Sequence, residues 1–432
     1  MYDDLVEFLQ ESVTPFHAAA TAESWLCAAG FTRLEEADYW NLEPGKGYYT
    51  TRNGSSVVAW RVPQHAIGGW RIVASHSDSP SWKIKADTVE NDGCRRLSVE
   101  GYGGMIMSTW LDRPLTVGGR ALVKTEDGIE SRLVYLDRDL LVIPSLAIHF
   151  QRDINKGHTF NPQVDMQPLW GPAGSRTLTD LVAEELGVDT ADILDSDLQL
   201  VTRQAPTQIG PDGEFFMAPR IDDLECAATT LLGFLDASAE TDSACAPVWA
   251  MFDNEEVGSS TRQGADSSFL RDVLDRILNA IPHSAQAQAQ AFANSFVLSA
   301  DNAHAVHPNF ADKADPCNKV ILGKGVVVKV NASQKYTTSG LTGAIFKEIC
   351  RKNNVPVQVF ANRADLPGGS TLGNLQSHTV PVPMVDIGLA QLAMHSAVET
   401  AAVADADAMV RAVAGFYRVH LRSLGDARYT LE

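Results

Sequence analysis

Five side chains that offer nitrogen or oxygen ligands occur where apolar runs of this sequence stop. Together they supply what a hydrolytic centre with two metal ions requires: one histidine and one carboxylate for each ion, and one carboxylate that both ions share. Two divalent cations, three carboxylates and one bridging hydroxide sum to zero charge, so such a centre can be buried. A ligand set without thiolate favours two Zn²⁺ ions per subunit, with Co²⁺ or Mn²⁺ as alternatives. The five residues are His76, Asp222, Glu256, Asp301 and His395.

The most informative stretch is Trp249–Ser260, with the sequence WAMFDNEEVGSS. The apolar run Val248–Phe252 predicts a buried strand, and Glu255 and Glu256 follow its carboxyl end. Neighbouring glutamates point in different directions, so Glu256 can bind a metal while Glu255 moves protons. Metal-bound water has a pKa of about 7, and we predict that Glu255 takes its proton and passes it to the leaving amine. An isolated acidic pair is more typical of a solvated turn, but the other ligand stretches favour catalysis.

A second stretch, Trp70–His76, predicts a strand that ends at a histidine and is followed by Asp78. A lone histidine in a core is more often structural. An acid two residues after a strand-end histidine is instead typical of a group that orients a ligand imidazole. We therefore predict that Asp78 is the acid that holds His76.

Alternating strands and helices in residues 1–84 and 215–432 predict an α/β domain with a doubly wound, mostly parallel sheet and helices on both faces. Ligands of such sheets collect at the carboxyl ends of the strands, where the five side chains occur. Residues 85–214 differ, because short alternating strands are separated by glycine-containing turns. This segment predicts an inserted β-rich domain that pairs subunits.

Several local predictions accompany this division. Within the insert, the spacing of apolar residues predicts helices at 177–186 and 191–196. The alanine and glutamine tract at 285–293 is interpreted as a loop or a frayed helix. A long alanine-rich helix is expected to run to about Leu424.

Composition narrows the class of protein. The 432 residues carry a net charge of -19, which argues against nucleic acid or an anionic membrane as a partner. No apolar run approaches the length that crosses a membrane. The six cysteines are scattered without a CxxC pair, which is typical of free, buried thiols in a reducing compartment. We therefore expect a cytoplasmic protein.

These stretches together resemble the aspartyl aminopeptidases, a family of dinuclear zinc aminopeptidases related to the yeast vacuolar aminopeptidase. The matching segments follow the family order and span nearly the whole chain. The resemblance implies an exopeptidase that releases N-terminal residues from peptides, preferably Asp or Glu. It also implies an inserted domain that pairs subunits of a tetrahedral shell, expected to be a dodecamer. The segments are SHSDSP (75–80), RIDD (220–223), DNEEVGS (253–259), SADNAHAVHPN (299–309), KVNASQKY (329–336), PGGSTLG (367–373) and MHS (394–396).

The resemblance also implies roles for single residues. The family's bridging acid directly follows an apolar residue, here Ile221, which selects Asp222 over Asp223. Glu255 matches the family's general base, and Asp78 matches the acid behind the ligand histidine. The implied ligand pairs are His76 with Asp301 for one zinc ion and Glu256 with His395 for the other.

Further matches concern the substrate. By resemblance, Lys329 pairs with the substrate's side-chain carboxylate through a charge-assisted hydrogen bond, and Tyr336 also meets the substrate. By residue type alone, a solvated lysine and a packed tyrosine are more typical. His149, in IPSLAIHF (143–150), matches a histidine that the inserted domain lends to a neighbouring subunit's active site. Gly368 and Gly369 lack the lysine and spacing of a phosphate-binding loop, so we expect their backbone to approach the peptide.

Two alternatives remain open from the sequence. The first is an aminopeptidase of broad or neutral specificity, because one lysine does not define an acidic pocket. The second is a catalytically idle shell that serves as a scaffold. All five ligand positions and the base are present, which favours the enzyme.

Overall fold

The structure is a computed structural model that describes residues 1–238, 245–281 and 283–431. The α-helices of these residues are α1 (Tyr2–Glu11), α2 (Pro15–Ala28), α3 (Pro162–Asp165), α4 (Leu178–Leu186), α5 (Ile221–Ser238), α6 (Phe269–Asn279), α7 (Ala285–Ala293), α8 (Gly340–Lys352), α9 (Leu372–Gln376) and α10 (Val403–Arg418).

The strands of the same residues are β1 (Thr32–Arg33), β2 (Gly47–Arg52), β3 (Ser56–Arg61), β4 (Gly69–His76), β5 (Ser81–Asn91), β6 (Cys94–Tyr102), β7 (Leu115–Thr125), β8 (Gly128–Tyr135), β9 (Leu169–Pro172), β10 (Ile193–Thr202), β11 (Thr207–Ile209), β12 (Phe215–Ala218), β13 (Cys245–Phe252), β14 (Phe296–Ala300), β15 (Ala303–His304), β16 (Val326–Val330), β17 (Val357–Ala361), β18 (Met384–Gly388), β19 (Ala390–Leu392), β20 (Glu399–Ala402), β21 (Leu421–Gly425) and β22 (Arg428–Leu431).

A central sheet of nine strands has the order β1-β2-β3-β13-β4-β14-β18-β16-β17. Its middle strands β13, β4, β14 and β18 are parallel neighbours, so their carboxyl ends meet at one edge. Side chains alternate between its two faces, as in β13, where Trp249 packs on one face and Val248 on the other. The first face is covered by α1, α2, α5, α8 and α10, and the second by α6 and α7. The predicted α/β class, with helices on both faces, is confirmed.

A second sheet has six strands in the order β8-β7-β10-β5-β6-β9, and all its pairings are antiparallel. It has its own core, which includes Trp82, Trp110 and Leu198. The predicted inserted β-rich domain is therefore present. Its limits at residues 85 and 214 stay a prediction, and β5 begins before the first of them, at Ser81. A third sheet has five strands in the order β11-β12-β20-β19-β15, which come from separate parts of the chain.

Three local predictions need correction. Residues 191–196 do not form a helix, because β10 starts at Ile193 and pairs with β7 along its length. This pairing outweighs the local helical spacing. The tract at 285–293 is a regular helix whose first turn is capped by Ser284, and Ala291 packs into the core. The last helix ends at Arg418, because the chain then forms the hairpin of β21 and β22.

The cysteines agree only in part with their prediction. None of the six forms a disulfide bond, but Cys27 and Cys317 are exposed and Cys94 is half-buried, so only three are buried. Among the helices that the structure describes, none combines the length and apolar character that crossing a bilayer requires.

Candidate metal centre

The five predicted ligand residues meet at the carboxyl edge of the nine-stranded sheet. His76 is the last residue of β4, Asp301 follows β14, and Glu256 lies in a short 3₁₀ turn after β13. These strands are parallel neighbours, so their ends bring the three side chains together. Asp222 comes from the start of α5, and His395 from the loop between β19 and β20. All five line one cavity of about 190 Å³.

Asp222 lies between the two histidines. Its Oδ1 is 3.5 Å from Nε2 of His76, and its Oδ2 is 3.3 Å from Nε2 of His395. The same His395 nitrogen is 3.3 Å from Oε1 of Glu256. These side chains form three overlapping groups, and within each group the potential ligand atoms lie within 4.8 Å of one another. The groups are His76 with Asp222, Asp223 and Asp301; His76 with Glu255 and Glu256; and Asp222 with Glu256 and His395.

The main chain fixes the orientation of both imidazole rings. Nδ1 of His76 is 3.0 Å from the carbonyl oxygen of Asp78, and Nδ1 of His395 is 2.5 Å from that of Gly104. A carbonyl oxygen only accepts hydrogen bonds, so each Nδ1 is the donor. Nε2 of each ring is thereby turned towards Asp222. Metal-binding histidines in proteins are held in this way.

Asp223 is not equivalent to its neighbour. Its Oδ2 accepts the main-chain N–H of His76 at 3.1 Å, and its Oδ1 accepts that of Asn302 at 3.2 Å. By contrast, Oδ1 of Asp222 is buried and has no hydrogen-bond donor in the part of the chain that the structure describes. Leaving a buried carboxylate oxygen without a donor costs free energy. A metal cation is the partner that such an oxygen fits.

Asp78 holds the turn that carries both glutamates. Its Oδ1 and Oδ2 accept the main-chain N–H groups of Glu255 and Glu256, at 3.0 and 3.1 Å. Its Oδ1 also lies 3.4 Å from Nδ1 of His76. Asn254, which precedes the turn, has the left-handed φ of 66°. The predicted acid behind His76 is therefore placed beside it, and it also orders the strand end that follows β13.

The electrostatics of the cluster also suit cations. Burial raises the pKa of Glu256 to about 7 and the pKa of Glu255 well above its ordinary value. Burial alone would lower the pKa of His395, but hydrogen bonds with Asp222 and Glu256 outweigh it and raise this pKa to about 11. Without cations, burial thus favours the protonated forms of both glutamates. Divalent metal ions balance the charged forms, so the donor set and its charge fit zinc.

Three of the predicted substrate-binding residues line the same cavity, namely Lys329, Tyr336 and Gly369. Nζ of Lys329 donates to the carbonyl oxygen of Asn302 at 2.8 Å and lies 3.3 Å from Oδ2 of Asp301. The lysine is fully buried, and its charge faces a carboxylate of the ligand cluster.

Gly368 and His149 lie outside this cavity. Gly368 lines the two cavities that flank the 361–369 loop, and its carbonyl oxygen accepts a hydrogen bond from Nζ of Lys335 at 2.8 Å. His149 is exposed in a loop of the inserted domain. Its predicted role in a neighbouring subunit stays a prediction.

Comparison with known proteins identifies the family. The profile of a family described as Aminopeptidase I zinc metalloprotease (M18) matches residues 8–417. This chain belongs to the M18 aminopeptidases. A probable M18 family aminopeptidase 2 of Clostridium novyi is 41% identical, over 93% of this chain and 95% of the relative. The M18 chain is accordingly a zinc metallo-hydrolase.

Solved structures of M18 proteins have the same fold. A cryo-EM structure of an Ape4 and Nbr1 complex matches with a TM-score of 0.92 and 33% identity, covering 96% of this chain and 84% of that one. S. cerevisiae mApe1, solved as a dodecamer, matches with a TM-score of 0.85 and 26% identity, covering 96% of each chain.

Among the side chains of the cavity that the sequence analysis left unassigned, two are aromatic rings. His304 and Phe360 line it, and their ring centroids lie 6.0 Å apart. Burial lowers the pKa of His304, which favours the neutral ring. The position of His304 three residues after Asp301 was the available signal. Phe360 comes from β17 and had none.

Asp386, buried on β18, fastens two loops of the cavity. Its Oδ1 accepts hydrogen bonds from the hydroxyl groups of Thr371 at 2.6 Å and Ser299 at 2.8 Å. Its Oδ2 accepts the hydroxyl group of Thr337 at 2.6 Å. Thr371 lines the cavity, and Thr337 directly follows the cavity residue Tyr336. One carboxylate therefore anchors both loops.

Glu399, the first residue of β20, connects two of the predicted ligands. Its Oε2 accepts the main-chain N–H of Asp222 at 3.0 Å, and its Oε1 accepts that of His395 at 2.6 Å. The carboxylate is fully buried. It thereby holds the backbone of Asp222 close to the backbone of His395. The side chains of these two residues are in contact, with Oδ2 of Asp222 at 3.3 Å from Nε2 of His395.

We expect Glu399→Gln to weaken zinc binding about tenfold or more, because the amide nitrogen would face one of the two N–H donors. Zinc retained against a competing chelator measures this. Asp405→Asn is the matched control, since this buried carboxylate accepts the N–H groups of Gly323 and Gly325 at 2.7 and 2.6 Å. The control should lower the melting temperature without releasing zinc. Equal zinc loss in both variants would contradict the expectation.

Proposed function

We propose that this M18 aminopeptidase acts through two zinc ions held by the five side chains of the cavity. The supporting observation is the position of Asp222, whose two oxygens face Nε2 of His76 at 3.5 Å and Nε2 of His395 at 3.3 Å. One carboxylate between two such nitrogens has the arrangement of a bridging ligand. The proposed set is Asp222 as the bridge, His76 and Asp301 on one ion, and Glu256 and His395 on the other.

Glu255 is the proposed proton carrier. Its main chain is held by Asp78, and its side chain lines the cavity beside His76. Bound zinc ions would lower the pKa of a coordinated water to about 7 and polarise the carbonyl of the scissile peptide bond. Glu255 accepts the water's proton at a carboxylate oxygen and delivers it to the leaving amine. The proton that it carries in between stays inside a largely buried pocket.

The proposed substrates are peptides that begin with Asp or Glu. The net charge of -19 repels acidic peptides at long range, so any preference for them must come from a local cation. Lys329 is a buried cation that lines the cavity. A substrate carboxylate next to its Nζ would form a charge-assisted hydrogen bond.

A broad or neutral specificity is the second candidate, and one contact favours it. Nζ of Lys329 lies 3.3 Å from Oδ2 of Asp301, so its charge already has a partner. An acidic side chain would have to share this lysine with a metal-ligand carboxylate. Comparison of acidic and neutral substrates separates the two candidates.

We also propose that the inserted domain pairs subunits of a tetrahedral dodecamer. The support is an apolar surface on its 144–150 loop, where the side chains of Leu146, Ile148 and Phe150 are 59%, 52% and 81% exposed. A second copy of the chain is the proposed occupant, in keeping with the dodecameric mApe1 structure. The same loop would carry His149 towards the neighbour's cavity.

The proposed location is the cytoplasm. None of the six cysteines forms a disulfide bond and two of them are exposed, which is typical of proteins in a reducing compartment. The rival to the enzyme is a catalytically idle shell. It differs from the proposed aminopeptidase in having no turnover of peptide substrates.

For the base, we expect Glu255→Gln to lower kcat by about 10²- to 10⁴-fold, because proton transfer is lost while the ligands remain. Steady-state kinetics and zinc content measure the two effects. Glu348→Gln, at a half-exposed position of α8 remote from the cavity, is the control and should match the wild type. Near-normal turnover of Glu255→Gln would remove it as the base, and a zinc-loaded wild type without turnover would favour the idle shell.

For specificity, we expect Lys329→Met to lower kcat/KM for substrates with N-terminal Asp or Glu by about 10- to 100-fold more than for those with Ala or Leu. The reason is loss of the cation that would face the acidic side chain. Lys352→Met, at an exposed position of α8, is the control. An equal loss on acidic and neutral substrates would favour the broad specificity.

For assembly, we expect Phe150→Ser to shift the protein to smaller particles in sedimentation velocity, because a polar side chain weakens an apolar contact. Tyr39→Ser is the control, since this aromatic side chain is 86% exposed and lies outside the insert. Unchanged particles for Phe150→Ser would exclude this loop as the interface.

A further inference from the structure

Residues 102–109 leave the six-stranded sheet at the end of β6 and pass over the metal centre. We call this segment the strap. Gly103 has a φ of +73°, and a Cβ at this position would lie 3.1 Å from Cβ of Glu256 and 3.4 Å from its carbonyl oxygen. Glycine therefore lets the backbone of the inserted domain lie directly against one of the proposed zinc ligands.

Tyr102 begins the strap and reaches the acid behind His76. Its hydroxyl group donates to Oδ2 of Asp78 at 2.7 Å and accepts from Nδ2 of Asn254 at 2.8 Å. The same Asp78 carboxylate holds the N–H groups of the glutamate turn. A single hydroxyl group thus joins the strand end that carries His76 to the strand end that carries Glu255.

The rest of the strap reaches His395 from the other side. The carbonyl oxygen of Gly104 accepts the Nδ1 hydrogen of His395 at 2.5 Å, and the N–H of Ile106 donates to the carbonyl oxygen of His395 at 3.0 Å. The hydroxyl group of Thr109 accepts the N–H of Ala397 at 2.9 Å. The ring of His395, its backbone and the residue two places after it are all held by the inserted domain.

We propose that Tyr102 is a positioning residue of the hydrolytic centre, and that through the strap the inserted sheet of the same chain holds the zinc ligands of the α/β domain in place. The inference rests on the proposed ligand set. Partners that orient metal ligands typically contribute 10- to 100-fold to metal affinity or activity. The inserted domain then has a role at the active site of its own chain, in addition to any role in assembly.

The test compares two tyrosines that each lose one hydroxyl group. Tyr102→Phe should release zinc at a chelator concentration about tenfold or more below that of the wild type. It should also lower kcat at limiting zinc and recover part of it when zinc is in excess. Tyr417→Phe is the control, because its hydroxyl group donates to the carbonyl oxygen of Val248 in the core, at 2.7 Å. The control should lose melting temperature but keep zinc like the wild type.

A second pair of variants tests the other end of the strap, including the case in which Tyr102→Phe does not fold. Thr109→Val removes the acceptor for Ala397 and should also loosen zinc. Thr116→Val is its control, since Thr116 is buried on β7 of the inserted domain and donates to the carbonyl oxygen of Leu136. Zinc retention equal to the wild type in both strap variants, or equal zinc loss in strap and control variants, would overturn the proposal.

A third comparison separates this proposal from the ligand set on which it rests. His395→Ala should lose bound zinc if His395 is a ligand, whatever the strap does. Full zinc content in His395→Ala would reject the ligand set and the strap proposal together. Zinc loss in His395→Ala with wild-type retention in both strap variants would reject the strap alone.

Discussion

A buried carboxylate between two imidazole nitrogens is the constraint on which the rest of this structure depends. Asp222 is almost fully buried, faces Nε2 of His76 and His395, and has no donor for its Oδ1 in the described residues. Such a group is unfavourable unless positive charge lies beside it. The fold must therefore bring the predicted ligands from distant parts of the chain to one point and keep them there.

Several separate sets of contacts hold these side chains together. The parallel strands β13, β4 and β14 end side by side and present their following residues at one edge. Glu399 then joins the backbone at Asp222 to the backbone at His395, and Asp78 joins β4 to the turn after β13. The strap adds contacts from a sheet with a separate core. Most of these contacts use main-chain groups, so the arrangement depends on the fold more than on individual side chains.

The sequence predicts the α/β class and the ligand positions because both leave local signals. A buried strand followed by acidic residues or histidine is visible in one stretch, and the family resemblance adds order along the chain. The residues around the ligands leave no such signal. Tyr102 lies in a strand of the insert, and Glu399 follows the MHS motif without a distinctive neighbour. Their partners are remote in sequence, so only the fold reveals them.

The local errors have the same origin. Residues 191–196 have helical spacing, but their pairing with β7 is a contact between distant segments. The role of Lys329 towards the substrate stays a prediction, and its contact with Asp301 could not be foreseen because the two residues are close only in the folded chain. The predicted role of His149 is at the active site of a second subunit, so a single chain does not test it.

The shared anchor at Asp386 has a consequence for recognition. The loops of Tyr336 and Thr371 are hydrogen-bonded to the same buried carboxylate, so a movement of either loop would break its hydrogen bond to Asp386. The recess between them is thus shaped before any peptide arrives, and binding need not freeze out loop motion, which saves conformational entropy. Selectivity in such a pocket comes from the fit of the substrate to a preformed shape. It can be altered by substituting a single residue that lines the pocket, while the loops keep their positions.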